Sequence, residues 1–303
     1  MTHSINTTLT SARLLASLFL LALIAATGFA VAADKILYEK PSAFNSNIIV
    51  TEDEAGLRVL RFEHNGARQS IAKPGDPTYL GFAYTKVAFA GLALTPDPRR
   101  ILIVGLGGGT MPMFLRHYYP EAWIDVVDID PDVVRVAKDF FGFREDDKLR
   151  AHVADGRKFV ESVREPYDVI FLDAFGTRNV PPHLTTVEFM RAVKRAVRST
   201  GVVIGNIWGS PVNPLFDSMV RTYQEVFDEL VILDVPTTTN KILLSLPRKH
   251  PLNRAELIAL THKTGSDKQF QFDLAAISEE QFHNSSRKGK VGQVLRDPDG
   301  ARR

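Results

Sequence analysis

The 303-residue sequence contains no cysteine. That absence excludes a disulfide framework, a thiolate zinc site and a cysteine nucleophile, and no metal site is read in the chain. A cysteine-free chain suits reducing and oxidising compartments alike. Net charge is nearly missing too, because 37 Lys and Arg stand against 35 Asp and Glu for a total of +2. Nucleic-acid binders favour a clearly basic face, so no nucleic-acid partner is expected. The sequence also lacks internal repeats and low-complexity tracts. Its 45% hydrophobic and 24% charged residues describe an ordinary globular protein, not a disordered or fibrous one.

Long hydrophobic runs are scarce, with one exception near the start. Residues 14–33, LLASLFLLALIAATGFAVAA, carry no charge, follow Arg13 and end at Asp34-Lys35. Twenty helical residues span about 30 Å, enough to cross a bilayer. Ala30, Ala32 and Ala33 also fit a small-residue cleavage site. Residues 1–33 are read as a signal peptide or an uncleaved membrane anchor, with a buried helix as a third reading. The single positive flank favours an inside N-terminus with the remainder outside. An exported (periplasmic) or membrane-anchored protein is therefore expected, with membrane contact through residues 14–33; a cytoplasmic protein is the alternative.

The rest of the chain divides into three parts. Residues 34–78 form a small β-domain in this reading, where NIIVTE and LRVLRF flank a charged turn and Asn65-Gly66 marks another. Residues 79–247 alternate apolar runs with amphipathic stretches. ILIVG, IDVVDI, YDVIFLD, VVIGNIW, ILLSL and a weaker AHVAD are strand candidates, and 131–140, 186–198 and 213–227 are helix candidates. Such alternation predicts parallel strands joined by crossover helices, an α/β domain of Rossmann-like type. Residues 248–303 read as a polar extension with one or two short helices and a basic end.

The most informative segment is ILIVGLGGGTMPMFL at 101–115. A buried strand runs directly into glycines and then into a helix start, which lets the backbone approach a ligand and present free N–H groups. Nicotinamide enzymes favour G-x-G-x-x-G/A, but the sixth position here is Thr110. Gly105, Gly107 and Gly109 supply the looser G-x-G-x-G tolerated by S-adenosyl-dependent enzymes. The next strand ends in Asp128-Ile129-Asp130, and an acid at that tip is placed to hold a nucleoside ribose. Asp130 precedes Pro131 and reads as a helix N-cap. Asp155, with Gly156, follows the third strand, where an acid meets the adenine amino group; a plain helix cap is the other reading of it. Asp173 ends YDVIFLD at the carboxyl edge of the sheet, where a carboxylate can take a proton from an attacking nucleophile or brace a loop. Thr185 and Glu188 have capping-box spacing, and His183 lies in the loop before them.

Taken together, GLGGGT, VDIDPDVV, ADGRKF and YDVIFLDAF resemble the polyamine aminopropyltransferases, the spermidine and spermine synthases, and most closely their bacterial spermidine synthase-like branch. The resemblance spans roughly residues 40–247. It implies a small N-terminal β-domain before a Rossmann-like catalytic domain, and a homodimer or tetramer. It implies aminopropyl transfer from decarboxylated S-adenosylmethionine, a co-substrate rather than a tightly bound cofactor, to a small-molecule amine. It assigns Asp128 to the ribose, Asp155 and Gly156 to the adenine, Asp173 to proton acceptance, and Asn45 to a nucleoside contact. The amine side departs from the family, whose glycine loop G-G-G-D-G-G carries an Asp that GLGGGT lacks. Gly176 stands where a diamine-gripping Asp is found, and Thr85 replaces a histidine after Tyr84. Tyr79, Tyr84, His183, Asn206 and Trp208 are the candidates to substitute. An S-adenosylmethionine methyltransferase and a non-catalytic nucleoside-binding descendant are the alternatives.

Overall fold

Four short strands open the folded chain: β1 (Lys35–Lys40), β2 (Ile48–Glu52), β3 (Arg58–Arg61) and β4 (Arg68–Ala72). They pair antiparallel in sequence order, as expected of strands joined by tight turns. The computed structural model describes residues 34–176, 179–283 and 291–298. The described residues from Lys35 onward belong to one compact unit. The apolar run at 14–33, with the export and anchoring expectation resting on it, lies outside the described residues. Among those described, no helix is long and apolar enough to cross a membrane.

A short helix α1 (Ala83–Ala88) and a 3₁₀ turn (Phe89–Leu94) lead into the second sheet. Its strands are β5 (Arg100–Val104), β6 (Trp123–Asp128), β7 (Leu149–Val153), β8 (Tyr167–Leu172), β9 (Val197–Trp208), β10 (Glu229–Asp234), β11 (Asn240–Leu246) and β12 (Phe282–His283). They lie in the order β12-β10-β11-β9-β8-β5-β6-β7. The pairs from β7 to β9 are parallel, and those beyond β9 are antiparallel. Continuous apolar runs such as ILIV in β5 are buried throughout, as strands covered by helices on both faces must be. The Rossmann-like α/β sheet and the N-terminal antiparallel sheet match the fold expected from sequence.

The helices are α2 (Thr110–Tyr118), α3 (Pro131–Phe140), α4 (Gly156–Ser162), α5 (Val187–Ala196), α6 (Phe216–Val226), α7 (Arg254–Lys268) and α8 (Leu274–Gln281). Asp130 caps α3, its side chain accepting from Asp132 N at 2.9 Å with Pro131 in the first turn. The helix expected to start at a Thr185–Glu188 capping box starts differently. Thr186 is the N-cap of α5, Thr185 Oγ1 turns to Pro182 O, and Glu188 accepts from Asp297 N at 3.0 Å. The polar extension also does more than its composition suggests. Leu257 and Leu274, on α7 and α8, are buried in the main core, and Phe270 and Phe272 stack near Phe114.

Two tertiary ties bring distant chain segments onto the helices that cover the two faces of the sheet. Ile48, Val50, Leu60 and Phe62 pack on Val133, Val136 and Phe141, so the N-terminal sheet seats on α3. The C-terminal strap, residues 291–298, crosses α5 and α6 through Val187 N to Leu295 O (2.8 Å) and Leu295 N to Thr222 Oγ1 (2.9 Å). It ends at Asp297, which accepts two bonds from the Arg157 guanidinium on α4, at 2.7 and 2.6 Å. Such a charge-assisted fork is worth about 1.5–3 kcal/mol. Asp297→Ala should therefore lower the melting temperature by several degrees, measurable by calorimetry; an unchanged melting temperature would show that the strap adds no stability.

Candidate functional site

The sheet order reverses at β5. The chain leaves it for β6 and β7 on one side, then returns to β8 on the other. Crossover loops diverge at such a switch point and open a crevice at the carboxyl ends of the strands. Gly105 and Asp173 face each other there, with Asp173 N donating to Val104 O at 2.9 Å. Gly105 has φ +105, and a Cβ on it would stand 2.4 Å from the Asp173 carbonyl oxygen. No other residue fits both the conformation and the spacing.

A cavity of about 310 Å³ opens on this crevice. Of the residues singled out from sequence, Asn45, Gly105, Gly107, Asp128, Asp155, Gly156 and Asp173 line it. Gly109 does not; it is the N-cap of α2, at φ 76, against Phe143. Asp128 binds main chain on both oxygens, from Leu106 N at 2.9 Å and Asp130 N at 3.0 Å. Desolvation raises its pKa, opposed by those backbone bonds. Asn45 Nδ2 donates to Asp130 Oδ2 at 2.7 Å, beside Ser42 Oγ on the same oxygen. The N-terminal region thus latches onto the α3 cap, and Asn45 contributes its remaining surface to the cavity wall.

Asp155 serves two partners. Its side chain caps α4, accepting from Lys158 N at 3.0 Å, and its Oδ2 lies 3.0 Å from His183 Nε2. The cap reading of this residue therefore holds, on a carboxylate that also lines the cavity. The Arg157 guanidinium that holds Asp297 also reaches His183 O at 3.3 Å, which ties the His183 loop to the C-terminal strap. Sequence reasoning missed this link because Arg157 and Asp297 are 140 residues apart, and the motif that holds Arg157 does not point to its partner.

Asp173 is held by two neutral side chains. Tyr84 Oη donates to its Oδ2 at 2.9 Å, and Asn206 Nδ2 donates to its Oδ1 at 2.8 Å. Asn240 Nδ2 in turn donates to Asn206 Oδ1 at 2.8 Å and fixes the amide orientation. Burial pushes the Asp173 pKa up to about 6, against the lowering effect of those two neutral donors. Burial also raises the Tyr84 hydroxyl well above its ordinary value, keeping it a donor. Among the other candidates for the amine side, Trp208 packs on cavity-lining Phe175 at 5.5 Å between centroids. Tyr79 instead lines a separate depression with Asp76 and Arg144.

Comparison with known proteins agrees with this architecture. The spermine/spermidine synthase domain matches residues 82–252. A polyamine aminopropyltransferase of Vibrio vulnificus is 33% identical over 234 residues, covering 75% of this chain and 77% of that protein. The human eEF1A lysine and N-terminal methyltransferase is 34% identical over 194 residues, covering 57% of this chain but 28% of that much longer protein. In structure, a probable spermidine synthase from Corynebacterium glutamicum superposes with a TM-score of 0.68 at 20% identity, over 90% of this chain and 99% of that one, which bears on the fold. With the domain match covering more than half of the sequence and the switch-point crevice built from its glycine turn, the chain belongs to the spermine/spermidine synthase family of transferases.

Proposed function

We propose that this chain transfers an aminopropyl group from decarboxylated S-adenosylmethionine to an amine, with Asp173 as the proton acceptor. The donor is a co-substrate consumed in each turnover rather than a tightly held cofactor. Asp128 takes the ribose hydroxyls, and Asp155 with Gly156 takes the adenine. The observation that carries the reading is Asp173: a carboxylate raised to about 6, at the switch-point crevice, in one cavity with both nucleoside acids.

The chemistry sets a demand that this residue meets. An alkyl amine has a pKa near that of lysine, about 10.4, so at pH 7 only about one part in 10³ to 10⁴ is nucleophilic. The ammonium must bind, lose its proton next to the electrophile, and attack. The nitrogen lone pair then attacks the carbon attached to the sulfonium, the C–S bond breaks with its electron pair going to sulfur, and methylthioadenosine leaves. Asp173 holds the ammonium by charge and receives the proton. Tyr84 and Asn206 keep its oxygens aimed without neutralising them, because neither donor is cationic.

The apolar run at 14–33 supports the further reading that the catalytic unit is delivered to or across a membrane. A reporter active only in the cytoplasm, fused after residue 40, should then be silent; strong reporter activity reverses this reading.

Incubation with decarboxylated S-adenosylmethionine and a panel of amines, followed by mass spectrometry, should reveal an aminopropylated product. Asp173→Asn should abolish that product while methylthioadenosine still binds. Wild-type turnover in the variant would remove Asp173 from the role. The rate should rise tenfold per pH unit below about 6 and level off above it, since only the ionised carboxylate accepts a proton. The same raised pKa means the folded state binds the extra proton, so stability is lost as pH rises from about 4 through about 6. Asp173→Asn should accordingly raise the melting temperature at pH 7.5 and leave it unchanged near pH 4.

A further inference from the structure

Four carboxylates line the cavity, Asp128, Asp130, Asp155 and Asp173. Three of them already serve donors around the glycine turn and the helix starts. Asp128 accepts from the N–H groups of Leu106, Gly107 and Asp130. Asp130 accepts from Ser42, Asn45 and Asp132. Asp155 accepts from Lys158 N, and His183 Nε2 lies 3.0 Å from its other oxygen. Asp173 is the fourth, and it lies with the cavity residues Tyr84, Phe175 and Gly176.

The segments tied to Asp173 supply no second acid. Residues 174–182, AFGTRNVPP, carry one charged residue, the cation Arg178. Residues 79–85, YLGFAYT, and 206–216, NIWGSPVNPLF, carry none. Residues 235–241, VPTTTNK, carry only Lys241, which is paired with Asp234. The polar side chains of these segments are engaged as well. Tyr84 and Asn206 hold Asp173, and Asn240 holds Asn206. Thr85 Oγ1 donates to Phe82 O at 2.8 Å, and Asn213 joins Trp208 O to Leu215 N. The remaining surface is apolar. Phe175 packs on Trp208 at 5.5 Å between centroids, and the loop after Trp208 leaves Val212 and Leu215 exposed by 51% and 47%.

A diamine brings two ammonium groups to this end of the cavity, and the donor adds a sulfonium. Asp173 neutralises one charge. A second ammonium desolvated against Phe175 and Trp208 has no carboxylate to meet, whereas a methyl group gains from the same surface. Cation–π attraction to the two rings returns less than the lost hydration.

We propose that the acceptor of this chain is a monoamine with an apolar body, its single ammonium on Asp173 and its alkyl chain on Phe175 and Trp208. The inference deepens the aminopropyl-transfer reading and rests on it. The ammonium gives its proton to Asp173, and the nitrogen lone pair forms the new N–C bond as the C–S bond breaks with its pair going to sulfur. The products are an N-(3-aminopropyl)alkylamine and methylthioadenosine, and the proton passes from Asp173 to solvent.

Pentylamine and cadaverine make the test, because they match in length and differ by a methyl against an ammonium at the far end. With decarboxylated S-adenosylmethionine as donor, kcat/KM for pentylamine should exceed that for cadaverine at least tenfold, read by mass spectrometry of the products. Calorimetry in the presence of methylthioadenosine should give the same order of affinities without turnover. Gly176→Asp places a carboxylate in this wall, where among the described residues a Cβ meets Asn179 O at an ordinary 3.6 Å. That variant should narrow the gap at least tenfold by raising the value for cadaverine. Phe175→Ala should raise KM for pentylamine three- to tenfold, with a smaller effect on methylthioadenosine affinity. The inference is overturned if wild-type chain uses cadaverine as well as pentylamine or better, if Gly176→Asp leaves the gap unchanged, or if Phe175→Ala leaves KM intact. If methylthioadenosine binds but neither amine is aminopropylated, the transfer reading itself fails and the inference with it.

Discussion

The close approach of β5 and β8 at their carboxyl ends is the constraint on which the site depends. Gly105 lies so near the Asp173 carbonyl that a single added carbon would collide with backbone. Because the two strands stay paired up to that point, the glycine turn and the Asp173 carboxylate emerge side by side. The sheet reverses its order there, so the loops part and leave a crevice. Every other cavity residue is placed relative to this pair of strand ends.

Two outlying pieces of chain complete the walls. One is the N-terminal sheet, seated on α3 by apolar packing and by the buried Asp130, which accepts from Ser42, Asn45 and Asp132 at once. This carboxylate is 1% exposed, so losing any of those donors would leave a buried charge poorly satisfied. The latch also carries Phe44 and Asn45 to the cavity. The other piece is the C-terminal strap, whose Asp297 grips Arg157 just inside the start of α4. Since Arg157 also touches the His183 carbonyl, and His183 meets Asp155, the strap, the loop and the Asp155 carboxylate form one connected network.

The chemistry at Asp173 follows from giving a carboxylate neutral partners in a buried setting. In a salt-bridged acid such as Asp146, burial raises the pKa, but the Arg116 contact together with the N–H groups of Lys148 and Leu149 outweighs it and leaves the carboxyl lowered. Asp173 has no cationic partner among the described residues; Tyr84 and Asn206 orient it while burial dominates its proton affinity. An acid raised this way costs stability when ionised.

The sequence by itself determined the elements whose signals are local. Apolar runs gave β5, β6, β8, β9 and β11, the Asp130-Pro131 pair gave the start of α3, and the glycine turn with acids at successive strand tips pointed to Gly105, Gly107, Asp128 and Asp155, which line one cavity. These readings work because strand burial, helix capping and turn geometry depend on a few neighbouring residues. Local signals failed where two candidates lay side by side, as at Thr185 and Thr186, since the capping hydroxyl is chosen by how the preceding loop arrives. Tertiary structure alone decided which side chains share a carboxylate. Tyr84 and Asn206 meet at Asp173 from 89 and 33 residues away, and Arg157 meets Asp297 across 140. It also decided that Ser70, an unremarkable residue in a short strand, stands over Gly108. Contacts of that range are fixed by how the sheets pack and where the chain crosses, and no spacing along the sequence encodes them.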